Sequence, residues 1–198
     1  MPYKIAILSS TNGTNLQSFI DARDRGELEG IEICCLITDK AMCGAAEKAR
    51  AAGIKVYFID PKPVSRETYD QSVADTLTFF DVDLVVLGGY MKILGAPVLD
   101  KFKGRILNVH PSLLPKFAGG MNLDVHQAVL DAGETESGMT IHQVTEVLDG
   151  GEIVLQKKVA VSPDDTAESL KGKVQALEKE WYPKVVKALA EGKDPRTL

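Results

Sequence analysis

Short apolar runs alternate with amphipathic segments through the first half of the chain. The runs predict buried strands, and the segments between them have the apolar spacing of helices. Such alternation favours a parallel sheet with right-handed crossovers and helices on its faces. The predicted strands are residues 4–9, 31–38, 55–59, 83–87 and 105–110, and the predicted helices are residues 15–25, 44–52 and 65–80.

The second half of the chain has a different pattern. Residues 138–146 and 152–161 have strand character and are joined by an Asp-Gly-Gly segment, which is typical of an antiparallel pair. A final helix is predicted over residues 166–189, where Pro183 is expected to kink or divide it. The predicted fold is therefore α/β, with a Rossmann-like, mostly parallel sheet flanked by helices and an antiparallel strand pair in the C-terminal half.

Length and composition limit the number of domains, the location and the partners that we expect. The chain has 198 residues, 44% of them hydrophobic, and a net charge of −5. This length suits one good core, and we expect a single domain over residues 1–198. The apolar runs fall short of the roughly 20 residues of a membrane span, and the first residues lack the pattern of a secretory signal, so we expect a cytoplasmic protein with no membrane partner. The acidic balance argues against a nucleic-acid partner, because non-specific binding needs a basic face.

The three cysteines give little sign of a metal site. Cys34, Cys35 and Cys43 form no C-x-x-C pair and have no histidine near them in sequence. Since zinc sites normally need such clusters, we predict buried free thiols and no metal.

The turn after the first strand, residues 9–15, is small and polar and leads into a predicted helix. Exposed amides at a helix N-terminus bind anions, so one interpretation is a phosphate site. The other is an ordinary capped turn, because Ser, Thr and Asn serve that role widely. The glycine patterns of dinucleotide and nucleoside-triphosphate loops are absent from the sequence.

Asn108 and His110 lie two residues apart on the fifth predicted strand, so both should project from one face near its carboxyl end. Ligands bind at that end in open α/β sheets. An amide can stabilise an oxyanion and an imidazole can carry a proton near neutral pH, a pairing that suits acyl transfer. Alternatively, both residues satisfy backbone groups at a strand end.

The other histidines, His126 and His142, are interpreted as packed or capping side chains.

Asp149 lies in the Asp-Gly-Gly segment between the two late strands. A carboxylate there could approach His110 and favour its charged form. The simpler interpretation is a hairpin turn, for which Asp-Gly is a common signal.

Taken together, these motifs make the sequence similar to the phosphoribosylglycinamide formyltransferases, the folate-dependent family of purine synthesis. The resemblance covers nearly the whole chain, and its motifs occur in the family's order and at its spacing. They are Asn15-Leu16-Gln17, Ser65-Arg66-Glu67, Gly88–Leu94, Leu107–Phe117 and Ile141–Gln156.

The resemblance implies formyl transfer from 10-formyltetrahydrofolate to the amine of glycinamide ribonucleotide, without a metal, by a monomer or homodimer. The implied catalytic group is Asn108, His110 and Asp149. The residues implied to bind the ribonucleotide are Asn12, Gly13, Thr14, Asn15, Arg66, Gln175 and Glu178. Those implied to bind folate are Met91, Lys92, Ile93, Leu94, Val144 and Leu148. Residues 1–100 would form the half that binds phosphate and ribonucleotide, and residues 101–198 the catalytic and folate-binding half.

The sequence departs from the family pattern around one loop that borders the implied site. Ala118 replaces a usual Pro, Gly120-Met121-Asn122 lengthens the loop, and Asp124 stands where a polar aromatic residue is expected. In addition, Lys92 stands where Arg is usual, which keeps the charge but loses the planar fork.

Several related functions remain as alternatives. A methionyl-tRNA formyltransferase would need a second, basic tRNA-binding domain. A formyltetrahydrofolate hydrolase typically carries a further domain before the first strand, whereas the first strand here is predicted from residue 4. A non-catalytic nucleotide-binding Rossmann protein or a folate-binding module would explain part of the pattern, but a nucleotide-binding protein would leave Leu107–Phe117 unexplained.

Overall fold

The structure, a computed structural model, describes residues 1–120 and 123–198. The chain forms two compact units, Met1–Leu107 and Asn108–Leu198. Met121 and Asn122, which belong to the lengthened loop, lie outside the described residues. The expectation of one domain over residues 1–198 stays a prediction.

The first unit contains a parallel sheet whose strands follow the order β3-β2-β1-β4. Its strands are β1 (Tyr3–Leu8), β2 (Ile31–Thr38), β3 (Val56–Phe58) and β4 (Leu84–Leu87), and β5 (Ile106–His110) begins where this unit ends. Its helices are α1 (Thr14–Asp24), α2 (Gly44–Ala51), α3 (Arg66–Phe79) and α4 (Ala96–Lys101). The prediction of a parallel α/β arrangement is confirmed.

The centre of this sheet is apolar along its whole length. In β1 the residues from Ile5 to Leu8 are fully buried, and they lie in register with the buried residues Leu84–Leu87 of β4. Continuous burial of this kind is expected when helices cover both faces of a parallel sheet. The unbroken apolar runs in the sequence are therefore explained by the fold.

Local capping sets the helix boundaries. The side chain of Ser65 accepts a hydrogen bond from the backbone N–H of Thr68 and so begins α3. Gly53, which follows the C-cap of α2, has a left-handed φ of 72°, as expected for a residue that stops a helix. The short helix α4 was absent from the sequence prediction, because six residues are too few to show a helical period.

The second unit is built on an antiparallel strand pair. Its elements are α5 (Leu123–Asp131), β6 (Glu136–Gln143), β7 (Ile153–Ala160), α6 (Ala167–Ala190) and a 3₁₀ turn (Pro195–Thr197). Strands β6 and β7 are antiparallel, with Glu136 opposite Ala160. Helix α6 packs against both strands and against α5. The predicted antiparallel pair is confirmed, and so is the predicted α/β class.

Two details of the second unit differ from the prediction. Strand β6 ends at Gln143 instead of residue 146, because the hydroxyl of Thr145 accepts the N–H of Val147 and turns the chain. Helix α6 runs unbroken past Pro183, so the proline does not divide the helix, and the kink that was the other expectation stays a prediction. Pro183 is buried together with its helical neighbours on the packed face of α6, and that packing offsets the one backbone hydrogen bond that a proline removes.

The cysteines are free thiols, as predicted. Cys34 and Cys35 are buried, but Cys43 is only half-buried. Within the described ranges, no group of three or more His, Cys, Asp or Glu side chains could hold a metal ion. In the same part of the chain, no helix has the length and apolarity needed to cross a membrane.

A buried threonine ties the segment after β5 to the strand pair. The Thr140 hydroxyl on β6 donates to the carbonyl of Ser112 at 2.6 Å and accepts the N–H of Leu114 at 3.0 Å. The amide of Gln156 on β7 donates to the same hydroxyl at 2.9 Å and to the carbonyl of Leu114. Three partners on one fully buried hydroxyl make Thr140 the anchor of residues 112–114.

We predict that Thr140→Val lowers the free energy of unfolding by about 2 kcal/mol, because the isosteric change leaves buried backbone groups without a partner. Thr78→Val is a matched control, since Thr78 is an exposed residue whose hydroxyl bonds to the carbonyl of Ala74 in its own helix, and its loss should cost less than about 0.5 kcal/mol. Urea-induced unfolding of both variants measures the difference, and equal stabilities would contradict the anchoring role.

Candidate active site

His110, at the end of β5, lies between two hydrogen-bond acceptors. Its side chain is almost fully buried, and Nδ1 lies 3.2 Å from Oδ2 of Asp149. On the other side of the ring, Nε2 lies 2.9 Å from the carbonyl oxygen of Phe117. A carbonyl oxygen only accepts, so Nε2 donates to Phe117, while Nδ1 faces a carboxylate oxygen. The imidazole of His110 is therefore held between two oxygen acceptors.

Asp149 is hydrogen-bonded through one carboxylate oxygen and lies beside a second histidine with the other. Oδ2 accepts the backbone N–H of Gly119 at 2.8 Å in addition to facing His110, and Oδ1 lies 3.5 Å from Nε2 of His142. The side chain is 7% exposed, so it needs such partners to offset the loss of hydration. Asp149 itself has a left-handed φ of 51°. The carboxylate thus lies against His110, and its catalytic role stays a prediction.

Gly151, two residues after Asp149, allows the backbone to lie close to that of Gln143. A side chain at Gly151 would place its Cβ 1.8 Å from the carbonyl oxygen of Gln143, so no other residue fits there without a shift of the backbone. The Asp-Gly-Gly segment is thus a tight connection between β6 and β7, as the hairpin interpretation predicts. It also carries the Asp149 carboxylate that lies close to His110 and His142.

His142, on β6, is the member of this group that the sequence interpretation missed. Its Nδ1 lies 2.9 Å from the carbonyl oxygen of Gln143, which requires a proton on Nδ1. Burial lowers the pKa of His142, while the Gln143 carbonyl and the Asp149 carboxylate act in the opposite direction. A neutral ring with this tautomer has a free lone pair on Nε2, which can accept a hydrogen bond.

Asn108 supplies that hydrogen bond. Its Nδ2 lies 3.3 Å from Nε2 of His142, so the amide donates one of its two hydrogens to the ring. This orientation leaves the second hydrogen of the amide available to a ligand. The structure therefore joins the three predicted residues Asn108, His110 and Asp149 into one cluster, with His142 as the link from Asn108 to Asp149.

Two backbone groups of the segment after β5 complete the cluster. Phe117 and Gly119 both have left-handed φ values, 60° and 76°. These conformations direct the carbonyl of Phe117 to His110 and the N–H of Gly119 to Asp149. The hydroxyl of Ser112 donates to the carbonyl of Lys116 at 2.8 Å and braces the same turn. Backbone groups have no sequence signature, and Gly119 is the one hint that the sequence offers.

The remaining predicted residues of the second unit lie on three elements. Glu178 is buried on α6 and Gln175 is half-buried one turn earlier on the same helix. Val144 follows β6, and Leu148, which is 56% exposed, lies beside Asp149. The structure does not itself assign ligands to these four residues, and their binding roles stay predictions.

His126, on α5, is packed, as the sequence interpretation held. Burial lowers its pKa to about 4, and the positive charge of Lys171 and then of His110 act in the same direction. It is therefore neutral at pH 7.

In the first unit, the predicted phosphate turn begins α1. Gly13 occupies the N-cap with a left-handed φ of 71°, and its carbonyl accepts the N–H of Gln17. A Cβ at this position would lie 2.6 Å from Cα of Ala45, so the turn requires glycine for both conformation and space. Thr14 and Asn15 form the first turn of the helix, where backbone N–H groups point out of the helix N-terminus. This geometry fits either an anion site or a plain capped turn.

Arg66, the first residue of α3, lies against the predicted folate segment. Its Nη2 donates to the carbonyl of Ile93 at 3.2 Å, and its Nε lies 3.6 Å from Oδ2 of the buried Asp70. Burial raises the pKa of Asp70, and the N–H of Gly95 and the charge of Arg66 oppose that rise. The described contacts thus join Arg66 to residues 91–94.

The same segment is tied to the predicted phosphate turn. The N–H of Met91 donates to the hydroxyl of Ser10 at 3.0 Å. Lys92 and Ile93 are exposed, whereas Leu94 is buried. An exposed cation and an exposed apolar side chain next to each other could contact a ligand that has both characters, and this remains a prediction.

The chain is similar to known proteins over most of its length. The model of the family described as formyl transferase matches residues 3–186. The chain is 42% identical to the phosphoribosylglycinamide formyltransferase of Haemophilus influenzae, over 96% of this chain and 88% of that protein. It is 38% identical to the Escherichia coli protein of the same name, with the same coverage of both chains.

Solved structures agree with these relatives. The Coxiella burnetii phosphoribosylglycinamide formyltransferase in complex with CHES superposes with a TM-score of 0.91 and 39% identity, over 97% of this chain and 89% of that one. Glycinamide ribonucleotide transformylase 1 from Symbiobacterium toebii gives a TM-score of 0.91 and 38% identity, over 96% and 89% of the two chains.

We predict that Asp149→Asn lowers the pKa of His142 further, because the carboxylate is one of the groups that raise it in the parent protein. A pH titration followed by ring ¹⁵N chemical shifts measures this and reports the tautomer. His126 is the internal control, since burial dominates its pKa. A His142 pKa that rises in the variant would contradict the arrangement.

Proposed function

This chain belongs to the formyl transferase family, and we propose that it passes the formyl group of 10-formyltetrahydrofolate to the amine of glycinamide ribonucleotide in purine biosynthesis. The relatives named for that activity match almost the whole chain. The observation that carries the proposal is the buried cluster in which Asp149 contacts both His110 and His142 while His142 orients Asn108.

The cluster supports direct attack of the amine on the formyl carbon. That attack turns the formyl oxygen into an oxyanion, which needs donors that are already in place. The free hydrogen of the Asn108 amide is one such donor. The Nε2–H of His110 is the second, because an oxyanion is a stronger acceptor than the Phe117 carbonyl that holds this N–H in the absence of substrate.

Asp149 has two roles in this proposal. It stabilises the imidazolium form of His110 as the oxyanion develops, because opposite charges at 3.2 Å favour the charged ring. A water held by Asp149, or His110 itself, then moves the proton from the attacking amine to the departing folate nitrogen. No covalent intermediate on the protein is needed, because the amine is itself the nucleophile.

Binding of the two substrates is assigned by the family resemblance. We propose that Asn12, Gly13, Thr14 and Asn15 hold the phosphate of the ribonucleotide through backbone amides, as helix N-termini do. Arg66, Gln175 and Glu178 are proposed to contact the same substrate. The proposed folate contacts are Met91, Lys92, Ile93, Leu94, Val144 and Leu148. A cytoplasmic location, a monomeric or homodimeric state and the absence of a nucleic-acid partner stay predictions.

We expect the purified protein to release tetrahydrofolate from 10-formyltetrahydrofolate only when glycinamide ribonucleotide is present. An absorbance assay with and without the acceptor measures this directly. Release without the acceptor would instead indicate a hydrolase, and binding of both compounds without release would indicate a non-catalytic protein.

We predict that Asn108→Ala lowers kcat by at least about a hundredfold, because the loss of one oxyanion donor typically costs about 2.7–4 kcal/mol of barrier. Gln127→Ala is the control, because this exposed amide bonds only to Asp131 on its own helix and its loss should leave kcat unchanged. Near-normal turnover of the Asn108 variant would remove Asn108 from the mechanism.

A further inference from the structure

Lys48 places its positive charge directly behind the phosphate turn. It lies on α2, and its Nζ donates to the carbonyl oxygen of Asn12 at 2.7 Å. Within the described part of the chain, Lys48 forms no ion pair with a carboxylate. Its charge is therefore directed at the turn and is not neutralised by an acidic side chain.

The position of Lys48 is set by close packing between α2 and the turn. The N–H of Ala45 donates to the carbonyl of Thr11 at 3.0 Å. A Cβ at Gly44 would lie 3.0 Å from Cα and the carbonyl oxygen of Asn12, and one at Gly13 would lie 2.6 Å from Cα of Ala45. Two glycines thus bring the start of α2 against the turn, and Lys48 follows one helical turn later.

The geometry of the peptide bond relays this contact to the other side of the turn. The C=O and N–H of a trans peptide point in opposite directions, and the Asn12–Gly13 peptide is trans. An ammonium on the Asn12 oxygen therefore fixes the direction of the Gly13 N–H on the far side. It also polarises the peptide, which makes that N–H a stronger donor.

No other cation has this position among the described contacts. Arg66, which the resemblance places near the phosphate, instead donates to the carbonyl of Ile93 and lies beside Asp70. The turn itself offers only backbone amides and small polar side chains. A phosphate dianion on those amides would gain from a fixed positive charge nearby.

We propose that Lys48 is a positioning residue for the substrate phosphate, and that it acts through the Asn12–Gly13 peptide without contacting the phosphate. The inference rests on the proposed function, because it takes the phosphate of glycinamide ribonucleotide as the anion on the turn. It predicts an effect on substrate binding that depends on the phosphate and on the charge of residue 48.

The test compares three variants on two acceptors, glycinamide ribonucleotide and the riboside that lacks the phosphate. Lys48→Met removes the charge and the hydrogen bond, Lys48→Gln retains a neutral donor, and Lys48→Arg retains both. We expect Lys48→Met to raise the KM for the ribonucleotide about tenfold with kcat within twofold, since a tenfold change corresponds to about 1.4 kcal/mol. Lys48→Gln should be intermediate and Lys48→Arg close to the parent.

The KM for the riboside should be the same in the parent protein and in all three variants. Lys103→Met is the matched control, because it removes an exposed lysine of the same unit and should leave both KM values unchanged. A parallel rise of KM for both acceptors in Lys48→Met would indicate a purely structural role and overturn the inference. So would an unchanged KM for the ribonucleotide.

The design separates this inference from the proposed function. If the parent protein fails to formylate glycinamide ribonucleotide, the proposed function fails. If the parent is active and Lys48→Met has the parent's KM, only the role of Lys48 fails. Thermal unfolding of each variant, expected to be within a few degrees of the parent, shows that the folded enzyme is being compared.

Discussion

The second unit depends on one buried carboxylate. A carboxylate removed from water is strongly destabilised unless hydrogen bonds and opposite charge replace its hydration. Asp149 meets this requirement with the N–H of Gly119 and with Nδ1 of His110, while His142 approaches its other oxygen from the neighbouring strand. The N–H that binds Asp149 comes from Gly119, which has a left-handed φ, and Asp149 itself has one as well. Unusual backbone conformations in two loops thus accompany this one buried carboxylate.

The two histidines around Asp149 differ in the partners of their second nitrogens. In His110 both nitrogens face oxygen acceptors. In His142 one nitrogen donates to a carbonyl while the other accepts from the Asn108 amide, and burial favours the neutral ring. The two rings beside one carboxylate thus differ in their surroundings: His110 is enclosed by oxygen acceptors, whereas His142 holds the amide of Asn108 in place.

The sequence allowed much of this site to be predicted, for identifiable reasons. Strand periodicity is strictly two, so Asn108 and His110 could be placed on one face without a structure. Asp149 could be proposed as a partner because its segment carries the turn signal Asp-Gly-Gly. His142 could not be recognised, because its contact with Asn108 depends on how β6 is positioned in space, and a single buried histidine on a strand is usually structural. The Phe117 carbonyl and the Gly119 amide are backbone groups, which every residue possesses.

The boundaries of the strands were likewise predictable from the sequence only in part. Strand β2 was predicted to the residue because its apolar run stops where the strand stops. The end of β6 was placed three residues late, because Val144 and Thr145 favour strands locally while the Thr145 hydroxyl captures a backbone N–H and turns the chain. Side-chain to backbone hydrogen bonds of this kind compete with the strand ladder, and hydropathy does not register them.

The negative net charge of the chain is compatible with the phosphate site proposed for it. A protein with a net charge of −5 that handles a phosphate would be expected to repel it at long range. The phosphate site proposed at the start of α1 would use oriented backbone amides and needs no basic face, because the partial charges of a helix N-terminus act within the first turn. Such a site depends on the direction in which each N–H points. That direction is fixed by the groups that bind the carbonyl oxygens of the same peptides, on the opposite side of the turn. In the first unit the carbonyls of Thr11 and Asn12 are held by the N–H of Ala45 and the ammonium of Lys48. The neighbouring helix therefore determines how the turn presents its amides, and global charge has little influence on it.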